Sequence, residues 1–158
     1  RTPWHQDGQY WPIRPLATCT VWIALDDSTP ETGCLQVIPG SHHDRRLRAH
    51  RSLTATDVTL NQELDPEEYD PSHARDIVLE AGQMSLHDVY LLHGSQANYS
   101  PQPRRGMTLR FMPTTSYFDR ELATRQAAEL GVLDHAERTL YLMRGVDRCG
   151  RNDFRLRN

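Results

Sequence analysis

The apolar residues of this chain fall in short runs that glycine, proline and charged residues separate. The run "TCTVWIALDD" (18–27) is rich in β-branched and aromatic residues, which predicts a strand that ends in a polar turn. A second strand is predicted over Cys34 to Ile38, where Pro39-Gly40 ends it. Further short strands are predicted from the same signals at residues 77–79, 84–86, 89–93 and 107–112. The chain is therefore predicted to be mainly β.

Two segments depart from this pattern. After residue 43 a basic stretch, "RRLRAHR", gives way to an acidic one, "QELDPEEYD", and the low apolar periodicity predicts a variable loop or lid over residues 43–76. Helical spacing occurs in "DRELATRQAAELGV", where one face would carry Leu122, Ala123, Gln126, Ala127 and Leu130. Frequent short strands with few helices favour an antiparallel barrel or jelly roll over a fold of alternating strands and helices.

The overall composition narrows the partners and the compartment. A chain of 158 residues suits one domain, and its formal net charge of -3 gives no electrostatic case for a nucleic-acid partner. No apolar run approaches the roughly 18 residues of a membrane span, and nothing resembles a signal peptide. Three scattered cysteines argue for a reducing compartment and against a disulfide framework. We therefore expect a cytoplasmic protein without a nucleic-acid or membrane partner.

Candidate chemistry begins in the stretch "PWHQDGQYWP". A lone His-x-Asp arises by chance in many chains, and its plain interpretation is a surface histidine beside a turn. At a strand end, however, residues i and i+2 point the same way, so His5 and Asp7 can bind one ion. His93, between an apolar segment and Gly94, is the candidate third ligand. Two histidines and one carboxylate leave three positions open on an octahedral Fe(II), as non-haem oxygenases require.

Several other residues are candidates for the same site. Arg104, Arg105 and Arg110 compete for the role of a carboxylate anchor, because a guanidinium binds a carboxylate through two parallel hydrogen bonds. The alternative for each arginine is a solvated strand edge. His87 is interpreted as a structural or pocket residue, since its neighbour Asp88 points to the opposite face of a strand. Trp11 is a candidate for either the substrate pocket or the core.

The quoted motifs together resemble the phytanoyl-CoA dioxygenase family of iron(II)- and 2-oxoglutarate-dependent oxygenases. The stretches "HQDGQYWPIRP", "TVWIALDDSTPETGCLQVIPGSH" and "LLHGS" followed by "SPQPRR" occur in the family's order. An arginine also lies eleven residues after the second histidine, as in the family. The resemblance extends from Trp4 to the "YLMRGVDRCGRNDF" tail, with residues 43–75 matching only as a variable loop. It implies a double-stranded β-helix, or jelly-roll, core.

The resemblance also implies roles for individual residues. His5, Asp7 and His93 correspond to the iron ligands, and Arg104 corresponds to the partner of the 2-oxoglutarate C5 carboxylate. Ser95 and Trp22 correspond to further cosubstrate contacts. Gln6 and Trp11 are the candidate substrate contacts.

The expected activity is hydroxylation of an unactivated C–H bond of a small organic substrate. It would use Fe(II), 2-oxoglutarate and O2 and release succinate and CO2. The alternative is a non-catalytic or non-oxygenase metal-binding protein of the cupin type. In the family a substantial N-terminal region precedes the His-x-Asp motif, so residues 1–158 are expected to form a single jelly-roll domain that lacks its N-terminal part. The sequence predicts no oligomeric state.

Overall fold

A computed structural model describes residues 1–156 of the chain and is mainly β. The helices are α1 (Arg120–Leu130) and single 3-10 turns at Asp7–Gln9, Pro66–Glu68 and Pro71–His73. The strands are β1 (Thr2–His5), β2 (Ile13–Arg14), β3 (Cys19–Ala24), β4 (Leu35–Val37), β5 (His50–Ser52), β6 (Gln62–Leu64), β7 (Arg75–Ile77), β8 (Met84–Asp88), β9 (His93–Ser95), β10 (Gly106–Phe111), β11 (Tyr117–Phe118), β12 (Tyr141–Leu142) and β13 (Arg155–Leu156).

The chain divides into two compact units, of which the first comprises Arg1–Gln9 and Cys19–Phe111. Its two larger sheets have the strand orders β1-β9-β4-β7 and β10-β3-β8, and every pair in them is antiparallel. Strands far apart in sequence, such as β1 and β9, are neighbours. This long-range antiparallel pairing forms the predicted jelly-roll core, with a buried cluster around Ile38, Leu64 and Leu92.

The second unit comprises Tyr10–Thr18 and the chain from Met112 onward. Its hydrophobic cluster contains Trp11, Ile13, Phe118 and Ala123. The predicted helix is confirmed as α1: the Asp119 side chain accepts a hydrogen bond from the backbone N–H of Leu122 at 2.9 Å, and Gly131 ends the helix at φ 64°. Whether residues 1–158 act as a single domain stays a prediction beside this division.

The predicted loop over residues 43–76 contains regular structure. Strands β5 and β6 pair antiparallel within it, and Arg46, Arg48 and Arg51 form ion pairs with acidic residues of the same segment. Examples are Arg46 with Glu68 at 2.8 Å and Arg51 with Glu63 at 2.6 Å. Three-residue strands made largely of polar side chains give no apolar alternation, which is why the sequence shows only a loop. A role as a lid stays a prediction.

The strand predicted at residues 89–93 is wrong. Strand β8 ends at Asp88, the chain turns through Val89 to Leu92, and β9 begins at His93. The Asp88 carboxylate accepts a hydrogen bond from the backbone N–H of Tyr90 at 2.8 Å and thereby fixes the turn. Val89 and Leu92 are buried in this turn, so the apolar residues that suggested a strand reflect burial instead.

None of the described helices combines the length and the apolar character that crossing a membrane requires.

Candidate metal centre and anion site

The structure brings His5, Asp7 and His93 together inside the first unit. His5 ends β1 and His93 begins β9, and the two residues are register partners across that pair of strands, with ring centroids 4.1 Å apart. Asp7 does not continue the strand, as the sequence argument assumed, but opens a 3-10 turn. The turn still directs the carboxylate toward both imidazoles, so the side chains meet by a different backbone route.

The spacing of these side chains suits one metal ion. Asp7 Oδ1 lies 3.8 Å from His5 Nε2 and 3.9 Å from His93 Nε2, and one ligand atom from each of the three residues lies within 4.8 Å of the others. Two ligand atoms on one ion at bond lengths of about 2.1 Å can be no more than about 4.2 Å apart, so both distances from the carboxylate are within reach. All three residues are buried.

Each histidine ring is oriented by its other nitrogen. His5 Nδ1 lies 2.8 Å from the carbonyl oxygen of Pro3, and His93 Nδ1 lies 2.9 Å from that of Leu91. A carbonyl can only accept, so Nδ1 carries the proton in both rings. Each Nε2 therefore presents a lone pair to the site, which is the form of imidazole that binds a metal.

The surroundings of the three side chains favour the protonation states that metal binding needs. Burial lowers the pKa of His5, and it lowers that of His93 well below its ordinary value of 6.5. Burial alone raises the pKa of Asp7, but the facing His87 imidazole and the charge of Arg110 help to hold it well below 3.8. At neutral pH the site thus offers two neutral imidazoles and one carboxylate, with little competition from protons.

Three side chains that the sequence did not assign to Asp7 surround its carboxylate. Thr20 Oγ1 donates to Oδ2 at 2.6 Å, and Arg110 donates to Oδ1 at 3.0 Å. His87 Nε2 lies 3.6 Å from Oδ2. No local motif marks this set, because the three residues come from three different strands. The sequence had suggested Arg110 as a candidate carboxylate anchor and His87 as a structural or pocket residue, but it assigned neither of them to Asp7.

The residues predicted to contact 2-oxoglutarate also come together. Arg104 donates to the hydroxyl of Ser95 at 3.3 Å and to the carbonyl oxygen of Thr32 at 3.2 Å, and its guanidinium lies 5.9 Å from the centroid of the Trp22 ring. Among the described residues, these partners of Arg104 are neutral. The half-buried guanidinium, whose pKa burial lowers, therefore lacks a carboxylate among the contacts that the structure describes.

The neighbouring arginines have carboxylate partners. Arg105 is exposed and pairs with Asp26 at 2.7 Å, while Arg110 pairs with Asp7. Of the three candidate anchors, Arg104 is therefore the one whose described contacts include no carboxylate.

Gly106 makes room for Trp22. A Cβ atom at Gly106 would lie 2.3 Å from one carbon of the indole ring, closer than non-bonded atoms approach. Gly106 begins β10, and its register partner Ala24 ends β3. The glycine therefore fixes where the Trp22 ring lies beside Arg104.

The two candidate substrate contacts lie in different surroundings. The side chain of Gln6 is fully buried and bonds to the backbone: its amide donates to the carbonyl oxygens of Arg46 and Tyr90, and its oxygen accepts from the N–H of Arg48. It thereby ties the segment between the two ligands to the 43–76 region. Trp11 packs in the hydrophobic cluster of the second unit and stacks on His135. Substrate contact by either residue stays a prediction.

Comparison with known proteins places the chain in a family. The sequence profile of the phytanoyl-CoA dioxygenase family matches residues 1–106. A phytanoyl-CoA dioxygenase domain-containing protein 1 homolog from Dictyostelium discoideum is 32% identical over 112 residues, which are 68% of this chain and 39% of that protein. This chain belongs to the phytanoyl-CoA dioxygenase family.

Solved structures show the same similarity. The structure of EvdO2 from Micromonospora carbonacea complexed with 2-oxoglutarate is 33% identical and matches with a TM-score of 0.60, over 70% of this chain and 44% of EvdO2. The epimerase SnoN from nogalamycin biosynthesis, described as non-haem and α-ketoglutarate-dependent, is 26% identical with a TM-score of 0.55, over 74% of this chain and 40% of SnoN. The chain thus spans less than half the length of these relatives.

Proposed function

We propose that this chain carries the iron and 2-oxoglutarate site of a non-haem dioxygenase that hydroxylates a C–H bond of a small organic molecule. The observation that carries the proposal is that the chain has both a buried His-Asp-His cluster and a half-buried arginine, Arg104, whose described partners are neutral. Similarity to a protein solved with 2-oxoglutarate supports the same assignment.

His5 Nε2, Asp7 Oδ1 and His93 Nε2 would hold Fe(II). Bound iron and 2-oxoglutarate together supply the activation of O2, in an overall reaction that converts substrate C–H, 2-oxoglutarate and O2 to substrate C–OH, succinate and CO2. These three residues would leave the other positions of the metal to small ligands, as in other sites with two histidines and one carboxylate.

The protein's own residues bind and orient the cosubstrate. Arg104 would form two parallel hydrogen bonds with the C5 carboxylate, and this charged contact is strong because the guanidinium is half-buried. The Ser95 hydroxyl, already within hydrogen-bond distance of Arg104, would donate to the same carboxylate. Trp22 would form a wall beside the guanidinium, held in place by the lack of a side chain at Gly106.

An anaerobic titration tests this proposal. The chain is loaded with Fe(II), 2-oxoglutarate is added, and the visible charge-transfer band of the iron-bound cosubstrate is recorded. We expect the band in the wild type, its loss in Asp7→Ala, and a large rise in the 2-oxoglutarate Kd in Arg104→Ala. Arg105→Ala is the matched control, because that arginine is exposed and paired with Asp26.

Other outcomes would favour the alternative function. Iron binding with no band on addition of 2-oxoglutarate would contradict the oxygenase assignment and favour a metal-binding protein of the cupin type. An equal rise of the 2-oxoglutarate Kd in the Arg104 and Arg105 variants would contradict the assignment of Arg104 as the carboxylate anchor. A band without any hydroxylated product would direct attention to other oxidations, such as the epimerase chemistry named for SnoN.

A further inference from the structure

The three side chains around Asp7 form a single row across one sheet. Arg110 of β10 and Thr20 of β3 are register partners, and Thr20 and His87 of β8 are register partners in turn. Directly opposed residues in an antiparallel sheet point to the same face. The row therefore presents a guanidinium, a hydroxyl and an imidazole side by side to one carboxylate.

The two oxygens of Asp7 have different surroundings. Oδ2 accepts a short hydrogen bond of 2.6 Å from Thr20 and faces His87 Nε2 at 3.6 Å. Oδ1 faces the Nε2 atoms of His5 and His93, and it also accepts from Arg110 at 3.0 Å. One oxygen is thus held by the sheet, while the other is shared between the two imidazoles and a cation.

The geometry points to opposite roles for these neighbours: Thr20 and His87 are positioning residues that hold Oδ2 and leave Oδ1 for the metal, whereas Arg110 competes with the metal for Oδ1. The inference rests on the metal site of the proposed function. It adds that the three residues of the row have opposite effects on metal affinity. A purely structural role would make all three of them increase that affinity.

Physical reasons give the expected sign of each effect. A ligand whose second oxygen is fixed needs no reordering on metal binding, and loss of such outer partners costs about 10- to 100-fold in metal affinity. His87 is buried, and its Nδ1 has no hydrogen-bond partner among the described residues, so the polar contact described for its ring is with Asp7. A guanidinium on the ligand oxygen repels a divalent cation, and its removal relieves this repulsion.

The experiment measures metal affinity without any turnover. The chain is titrated with Co²⁺ in the absence of 2-oxoglutarate, and both the Kd and the visible spectrum of the bound ion are recorded. We expect Thr20→Val to weaken binding about 10- to 100-fold, because the unfixed carboxylate must then be ordered when the metal binds. We also expect the Co²⁺ spectrum to change, because Asp7 can rotate in this variant. Thr20→Ser, which keeps the hydroxyl, restores both readouts.

Substitutions at Arg110 and His87 are expected to change the metal affinity in opposite directions. We expect Arg110→Gln to tighten Co²⁺ binding about tenfold or more, since a neighbouring positive charge is removed. Arg110→Lys keeps the charge and leaves the Kd near that of the wild type. His87→Leu is expected to weaken binding, and His87→Gln, which can place a donor near the same position, to weaken it less.

The outcomes separate this inference from the proposed function. Wild-type Kd in Thr20→Val, or weaker binding in Arg110→Gln, overturns the division of roles. Unaltered Co²⁺ binding in His5→Ala overturns the metal site and the inference with it. Opposite signs at Thr20 and Arg110 without a 2-oxoglutarate band support the inference and contradict the oxygenase function. Thermal unfolding shows whether each variant is folded. If Thr20→Val does not fold, Thr20→Ala replaces it, and if Arg110→Gln does not fold, Arg110→Met replaces it.

Discussion

The sheet of β10, β3 and β8 has two faces of opposite character. The inner face directs Arg110, Thr20 and His87 at one buried carboxylate. The outer face, one residue along each strand, is mostly apolar and partly or largely exposed. Apart from Cys19 and Asp88 at one end, it consists of Val21, Ile23, Met84, Leu86, Met107, Leu109 and Phe111. Because side chains alternate along a strand, a register slip by one residue would exchange these faces and destroy the site.

The contrast shows where the chemistry of this sheet resides. On the inner face Arg110, Thr20 and His87 each lie within 3.6 Å of the Asp7 carboxylate, so a change of one of these polar groups has a consequence for a ligand. On the outer face the five large side chains of β8 and β10 are 39% to 64% exposed and contribute little to the core of the described residues. Substitutions on the two faces should therefore differ in size and in what they affect.

The largest effect is expected from removing the carboxylate that the inner face surrounds. Asp7→Ala deletes a ligand atom and leaves Arg110, Thr20 and His87 facing a gap. Since outer partners alone change metal affinity by about 10- to 100-fold, we expect a loss of more than about 100-fold here. Calorimetric titration with Mn²⁺ measures it, with Asp57→Ala, at an exposed carboxylate, as the control. Retained affinity would show that the ion binds elsewhere.

The next effect concerns the inner face at the far end of the same strands. Gly106→Ala places a methyl group against the Trp22 indole, so the ring must move away from Arg104. We expect 2-oxoglutarate binding to weaken about tenfold while Mn²⁺ binding is kept, as for other steric clashes that cost about 1–3 kcal/mol. Adding Trp22→Leu to this variant removes the clash, and a double-mutant cycle measures the coupling. Additive effects would exclude a direct contact between the two positions.

An intermediate effect follows from the lowered pKa values of the inner histidines. The lowered pKa values keep His5, and over a wider range His93, neutral in the folded protein between pH 6.5 and their own lower pKa, whereas the unfolded chain takes up protons in that window. The unfolded state then binds more protons, so the unfolding free energy falls as pH drops below 6.5, by up to about 1.4 kcal/mol per pH unit for each histidine. Urea unfolding at several pH values measures the slope. A variant with both histidines replaced by glutamine should lose most of it, and a slope that is unchanged there would contradict the assignment.

The smallest effect is expected on the outer face. Leu86 and Leu109 flank Val21 of β3 there, and both are exposed. Replacing either with threonine should change the unfolding free energy by no more than about 0.5 kcal/mol and leave the Mn²⁺ Kd unchanged. Thr20→Val on the inner face is the paired comparison. A loss of metal affinity in the outer-face variants would show that the two faces do not act separately.

Much of the fold could be predicted from local pattern. β3 was predicted because β-branched and aromatic residues follow one another, and β10 because a short apolar stretch follows a loop rich in turn residues. α1 was predicted because apolar positions recur with helical spacing before Gly131. The turn at residues 89–92 was missed because a buried turn and a buried strand look alike in sequence. The hairpin of β5 and β6 was missed because its strands are short and mostly polar.

Part of the site could likewise be predicted from the sequence, and part could not. His5, Asp7 and His93, and likewise Arg104, Ser95 and Trp22, were chosen from motif order, and the structure brings each set together. The row of Arg110, Thr20 and His87 could not be chosen so, because it exists only through the register of three strands that are distant in sequence. Sequence spacing likewise could not show that Arg105 pairs with Asp26.

The most direct test of the oxygenase site is a crystal structure of the chain with Mn²⁺ and 2-oxoglutarate, in which Mn²⁺ replaces iron so that no turnover occurs. The proposed site predicts Mn²⁺ on His5 Nε2, Asp7 Oδ1 and His93 Nε2, with Asp7 Oδ2 still bonded to Thr20 and the C5 carboxylate on Arg104. A metal ion bound at other residues, or a C5 carboxylate held by Arg110 instead of Arg104, would contradict it.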